Sequence, residues 1–211
     1  IEKDDGSGYA GFGGVCLHWG GIPSKSLLKN AELVNQIKDS DKWGISFDNV
    51  SFDFAKAISR SRDVSKQLTQ GIEYLVKKNK ITLFKDTASL SGDNSIKLLN
   101  SGESINSKNV IIATGARPRN LPNLEIDGEM IISSREALEL KKLPKSIGII
   151  GAGAIGVEFA YLFNAYGVEV KMFEAQSHLV PNEDKSISSE LEKITAPHPP
   201  IPGFPEHAPS V

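Results

Sequence analysis

The chain has 211 residues, 39% apolar and 24% charged, with a formal net charge of -2 and a pI near 6.1. Those values suit a soluble globular protein of one or two domains. The scattered basic residues exclude a nucleic-acid footprint, and no apolar run reaches the roughly 20 residues that a bilayer span needs. One cysteine excludes a disulfide scaffold and fits a reducing compartment, so a cytoplasmic location is expected.

In chain order, Ile1-Glu2-Lys3 reads as a strand end, followed by a glycine-rich loop from Asp5 to Gly14. Leu27, Ala31, Val34 and Ile37 repeat at helical spacing and predict a helix from about Ser24 to Asp39. Trp43 to Phe47 reads as a turn. Asp53 is the expected N-cap of a second helix through Lys78, with an apolar stripe from Phe54, Ala57, Ile58, Val64, Leu68, Ile72 and Leu75. Short strands are expected at Ile81 to Phe84, Ser95 to Leu99 and Asn109 to Ala113, with turns at Gly92-Asp93-Asn94 and Asn100-Ser101-Gly102. A short helix, Ser133 to Leu140, leads to Pro144.

An apolar strand (Ser146 to Ile150), a helix (Ala154 to Tyr166, closed by Gly167) and a second strand (Val168 to Phe173) form one βαβ unit, which implies a parallel sheet. A last helix spans Ser186 to Ile194. Pro197 to Val211 holds six of the 11 prolines and is expected to be a disordered tail.

Two segments carry chemistry. Gly151-Ala152-Gly153-Ala154-Ile155-Gly156 follows a strand, opens a helix, and has an acid, Glu174, after the second strand. That context marks a dinucleotide fingerprint. Gly151 allows the tight turn, Gly153 lets pyrophosphate approach the backbone, and Gly156 lets helix and strand pack closely. The helix N-terminus offers N–H groups to phosphate. Glu174 accepts from ribose hydroxyls and repels a 2′-phosphate, which favours NAD over NADP. The other segment is Gly13-Gly14-Val15-Cys16-Leu17-His18-Trp19-Gly20-Gly21-Ile22-Pro23-Ser24-Lys25. A lone cysteine is usually a small buried apolar residue, and His18 reads as a partly exposed residue near a helix start.

With its flanks, however, the Cys16 segment resembles the redox-active segment of the flavin-dependent pyridine nucleotide-disulfide oxidoreductases. The resemblance implies an α/β fold: a partial FAD-binding Rossmann-like domain (residues 1–143) with an inserted partial NAD-binding βαβ unit (144–195), then the proline-rich tail (196–211). It implies FAD and NAD as cofactors. Cys16 becomes the interchange thiol, and Gly21 stands where the family has its flavin-facing cysteine, so the dithiol relay is broken as written. Lys25 matches the lysine against the flavin and Glu158 its partner. Glu2 matches the acid on the FAD ribose. Gly14, Val15 and Cys16 match the segment along the flavin. Ala113-Thr114-Gly115-Ala116-Arg117-Pro118 resembles the second flavin motif, so Thr114, Gly115 and Ala116 are expected at FAD. Thr87-Ala88 resembles the segment whose backbone meets adenine, although Asp86 replaces the usual glycine. Ala154, Ile155 and Glu158 join the glycines and Glu174 at NAD.

The order of motifs follows the branch of the family that oxidises dihydrolipoamide. That branch implies a lipoyl domain of a 2-oxo acid dehydrogenase or glycine cleavage complex as partner, a homodimer, and the mitochondrial matrix in a eukaryote. It also implies further motifs before Ile1 and after Ile194, and an inactive fragment. Two alternatives stay open: a transhydrogenase-like flavoenzyme without a redox disulfide, and a silent nucleotide-binding piece.

Overall fold

A computed structural model describes residues 1–3 and 12–195; the expected glycine-rich loop (in large part) and the proline-rich tail lie outside them. The described residues form two compact units. One draws on Ile1–Ser24 and Ser59–Leu138, the other on Lys25–Ile58 and the residues from Glu139 onward. The divisions after Ser24 and after Ile58 both fall within helices.

In the first unit, helix α1 (Gly14–Trp19) begins ten residues earlier than the expected helix and stops at Gly20. Glycine is a poor helix former, but Gly13 and Gly14 take positive φ and make the turn into α1. Helix α2 (Gly21–Lys38) follows, with Pro23 in its first turn, where a missing N–H is harmless. Asp53 caps α3 (Phe54–Lys78) as expected, its carboxylate accepting from Lys56 N–H at 2.9 Å. The expected α3 stripe is buried at Phe54, Ala57 and Ile58, while Leu68 and Leu75 are exposed.

Strands β1 (Ala88–Gly92), β2 (Ser95–Leu98) and β3 (Ser104–Asn106) make an antiparallel meander in that order. Only the middle one was legible. The β1–β2 turn uses Gly92 and Asn94 at positive φ, as the turn signal predicts. The expected strand at Ile81 to Phe84 does not form; the one bridge nearby, Glu2 with Lys85, lies just past it. Asn109–Ala113 forms no strand, because no described strand offers it an edge, and Ile111 is 90% exposed. Helix α4 (Ser134–Ala137) is closed by a capping box between Ser133 and Glu136.

The second unit holds the parallel pair β4 (Ser146–Ile150) and β5 (Glu169–Phe173), joined through α5 (Ala154–Ala165). Gly167 at positive φ ends the helix, as read from the sequence. Its core contains Ala152, Ala160, Met172, Leu179 and Val180, with Ile149, Val157, Val170 and Leu191 packed on it. Helix α6 (Lys185–Thr195) closes the described chain. No helix among the described residues is long and apolar enough to cross a membrane.

Candidate functional site

The glycine fingerprint forms the turn between β4 and α5. Gly151 takes φ +100°, which a side chain disfavours, and its N–H donates to Phe173 carbonyl at 2.7 Å. A Cβ on Gly156 would lie 2.0 Å from the Gly151 carbonyl oxygen, so this close approach demands glycine. Gly153 is the N-cap of α5, and no side chain caps that end. The first N–H groups of a helix lack intrahelical partners, so Gly153, Ala154 and Ile155 present a surface suited to phosphate.

Glu174, one residue past β5, accepts from Ala152 N–H at 2.7 Å and Gln176 N–H at 2.9 Å. Each carboxylate oxygen keeps capacity for a further bond. The acid thus pins the glycine turn.

Glu158, on α5, pairs with Lys25 on α2, joining residues 133 positions apart. The ammonium is largely exposed and the carboxylate partly buried, so the pair contributes at most about 1 kcal/mol to stability. Its value lies in geometry. Other bonds hold the same two helices together: Asn30 accepts from the Tyr166 hydroxyl, Asn35 donates to Tyr161, and Lys38 donates to the Ala165 carbonyl at 2.6 Å, capping the end of α5. Burial pushes the Tyr166 phenol above its ordinary pKa, with the Asp53 charge adding to the effect. The asparagines and tyrosines carry no motif, and sequence reasoning passed over them.

In the first unit Cys16 is exposed on α1. Gly21 has no positive φ, and the nearest atom to a Cβ built there is the Cys16 sulfur, at 3.3 Å. In a disulfide, with S–S about 2.05 Å, each sulfur lies roughly 3 Å from its partner's Cβ. The backbone therefore has the shape of a disulfide loop while lacking one thiol. Lys25 lies one helical turn beyond Gly21.

His18 is buried, not partly exposed as its sequence context suggests; its Nε2–H donates to Phe12 carbonyl at 3.0 Å.

The expected FAD residues collect into two groups. Gly115, at φ +76°, has its Cβ position 3.4 Å from a Val15 methyl, which brings the Thr114-Gly115-Ala116 segment against the Gly14-Val15-Cys16 turn. Glu2 N–H donates to Phe84 carbonyl, and Glu2 carbonyl accepts from Asp86 N–H, which sets Glu2 beside Thr87 and Ala88. Ala88 opens β1, and Thr87 carbonyl accepts from Leu99. Each group thus joins segments that are remote in sequence.

Asp86 departs from the family glycine for a local reason. Its buried carboxylate accepts from Asn100 and Ser101 N–H, both at 2.9 Å, and so closes the β2–β3 turn. Burial pushes its pKa up, but these hydrogen bonds outweigh it and hold the carboxyl below the usual range.

Residues 7–198 match the model of the pyridine nucleotide-disulphide oxidoreductase family. The chain is 41% identical over 187 residues to a dihydrolipoyl dehydrogenase of Chlorobaculum parvum, covering 87% of this chain and 40% of that protein. It is 44% identical over 186 residues to a dihydrolipoyl dehydrogenase of Mycobacterium tuberculosis, covering 86% of this chain and 40% of the relative. The chain thus spans about two fifths of the length of the curated relatives it matches. Among solved structures, a Cu(II) complex of the HOCl-induced flavoprotein disulfide reductase RclA from Escherichia coli superposes with TM-score 0.70 at 29% identity, over 89% of this chain and 39% of that one.

Proposed function

Because the chain belongs to the pyridine nucleotide-disulphide oxidoreductase family, we propose that it carries an NAD site and part of an FAD site from an enzyme that oxidises dihydrolipoamide to lipoamide. The observation that carries this reading is the Lys25–Glu158 pair. It ties the helix that starts at the redox segment to the helix that starts at the nucleotide fingerprint.

Bound FAD would supply two-electron chemistry between a dithiol and NAD. The chain's residues do the rest. Gly151, Gly153, Ala154, Ile155 and Gly156 receive the NAD pyrophosphate at the start of α5, and Glu174 takes the adenosine ribose. Gly14, Val15, Thr114, Gly115 and Ala116 line the flavin, with Glu2 and Ala88 toward the FAD adenosine. Lys25, oriented by Glu158, presents a cation that favours negative charge on a reduced ring.

Cys16 is the thiol exposed to substrate. Gly21 supplies no second thiol, so this chain passes no electrons from dihydrolipoamide to a flavin and acts as a nucleotide-binding piece. The domain division at residues 143 and 144, the tail from 196, a lipoyl-domain partner, a homodimer of the whole protein and a cytoplasmic or mitochondrial-matrix location belong to the same proposal. A transhydrogenase-like reaction is less favoured, since Glu174 opposes the 2′-phosphate of NADP.

The test is the visible spectrum of the chain after incubation with FAD and desalting, followed by anaerobic NADH. A retained flavin band bleached by NADH supports the reading. A colourless protein that also fails to bind NAD in calorimetry overturns it, and lipoamide reduction by the chain as it stands overturns the assignment of Gly21.

A further inference from the structure

Helix α1, which carries Cys16, has only six residues and no side-chain cap at its start. Helices this short do not hold themselves in water, so contacts with the rest of its unit must fix its direction. Leu17 and His18 are buried beneath it. Its last residue, Trp19, is held by two cations. The Arg135 guanidinium lies 4.6 Å from the Trp19 ring centroid and the Arg62 guanidinium 5.5 Å, both within cation–π range.

Arg62 is buried, and its Nη1 also donates to the His18 carbonyl at 2.7 Å. A cation on a carbonyl in the last turn of a helix is favourable. Arg62 comes from α3 and Arg135 from α4, so two separate elements grip the same turn. Trp19 is three residues from Cys16, on the neighbouring part of the helix surface. A rotation of α1 that moved the ring off its cations would also swing the sulfur away from position 21.

We propose that Arg62, Trp19 and Arg135 form a clamp of positioning residues that holds the Cys16 sulfur toward position 21. The proposal rests on reading Cys16 as the redox thiol. It assigns the clamp a task separate from stability: raising the effective concentration of the Cys16 thiol at the site of its would-be partner.

The test places a thiol at position 21 in the full chain (Gly21→Cys) and equilibrates it with glutathione buffers. Each closure gives up two protons and two electrons from the two thiols and converts one oxidised glutathione to two reduced ones. The fraction closed is read by mass after alkylation. Adding Arg135→Gln or Trp19→Leu is expected to lower the closure constant about tenfold, a potential roughly 30 mV less negative. Trp19→Phe, which keeps an aromatic face, is expected to restore most of it. Arg62→Met is the harsher variant, and Arg135, only partly buried, keeps the test open if that one does not fold.

A closure constant unchanged within twofold in Arg135→Gln and Trp19→Leu overturns the clamp while leaving Cys16 as redox thiol. A loss of melting temperature without a change in potential does the same. If Gly21→Cys forms no disulfide even in excess oxidised glutathione, the clamp and the reading of Cys16 both fall, whereas the nucleotide sites are judged separately by FAD and NADH.

Discussion

The βαβ unit and the Asn109–Ala113 segment are similarly apolar in sequence, yet one is ordered into a sheet and the other is bare. In the first, β4 and β5 pair in register from Ser146 with Glu169 to Ile150 with Phe173. Both strands and the helix between them fall within a single stretch of roughly 30 residues. Asn109–Ala113 has Val110, Ile111 and Ile112 in succession but no strand beside it among the described residues, and Ile112 is 68% exposed. Apolar residues make a strand only where an edge accepts their backbone hydrogen bonds.

Four substitutions would sharpen or break this contrast. Met172→Ala, at the one fully buried position of β5, has the largest expected effect, about 2–5 kcal/mol in a denaturant melt. A cost below that of an exposed site would mean that the β4–β5 core is not the stable part of the molecule. Gly156→Ala comes next, because its new methyl meets the Gly151 carbonyl oxygen and must move the turn. Overpacking of this kind costs about 1–3 kcal/mol. Calorimetry should show NAD binding weakened as well, and unchanged affinity would refute the close approach.

Asp86→Asn has a smaller effect with a particular pH signature. A carboxyl whose folded pKa lies below its unfolded value stabilises the fold above that unfolded value. The stabilisation fades as pH falls from there through the folded value. The variant should therefore melt below the parent at pH 7 and approach it in acid; a constant gap from pH 7 to pH 3 would contradict the assignment. Ile111→Thr should leave stability within about 0.5 kcal/mol, as expected of exposed sites. A larger loss would show that the segment is covered in solution.

The same contrast explains what could be read in advance. Strand β4, helix α5 and strand β5 were legible to within a residue or two, since glycine spacing, apolar period and Gly167 all act locally. Asp53 was legible as a cap for the same reason. Strands β1 and β3 were not: Ala88–Gly92 and Ser104–Asn106 are short and polar, and become strands only through pairing with β2. At the site, Lys25 and Glu158 were legible because both sit in motifs. The buried Arg62 was not, because Ser59-Arg60-Ser61-Arg62-Asp63 reads as a solvated helix face. Only the fold discloses that one arginine turns inward to Trp19.

In an unbroken helix, positions 16 and 21 would differ by about 140° around the axis and roughly 7.5 Å along it. Gly20, at φ -139° and ψ -130°, folds the chain back and sets position 21 over Cys16. The segment is a clasp whose closure depends on the number of residues in it. A thiol lost by substitution leaves the clasp standing and can be returned by one substitution. A residue added or deleted between the two positions would turn the halves away from each other, and no single side chain could then close them.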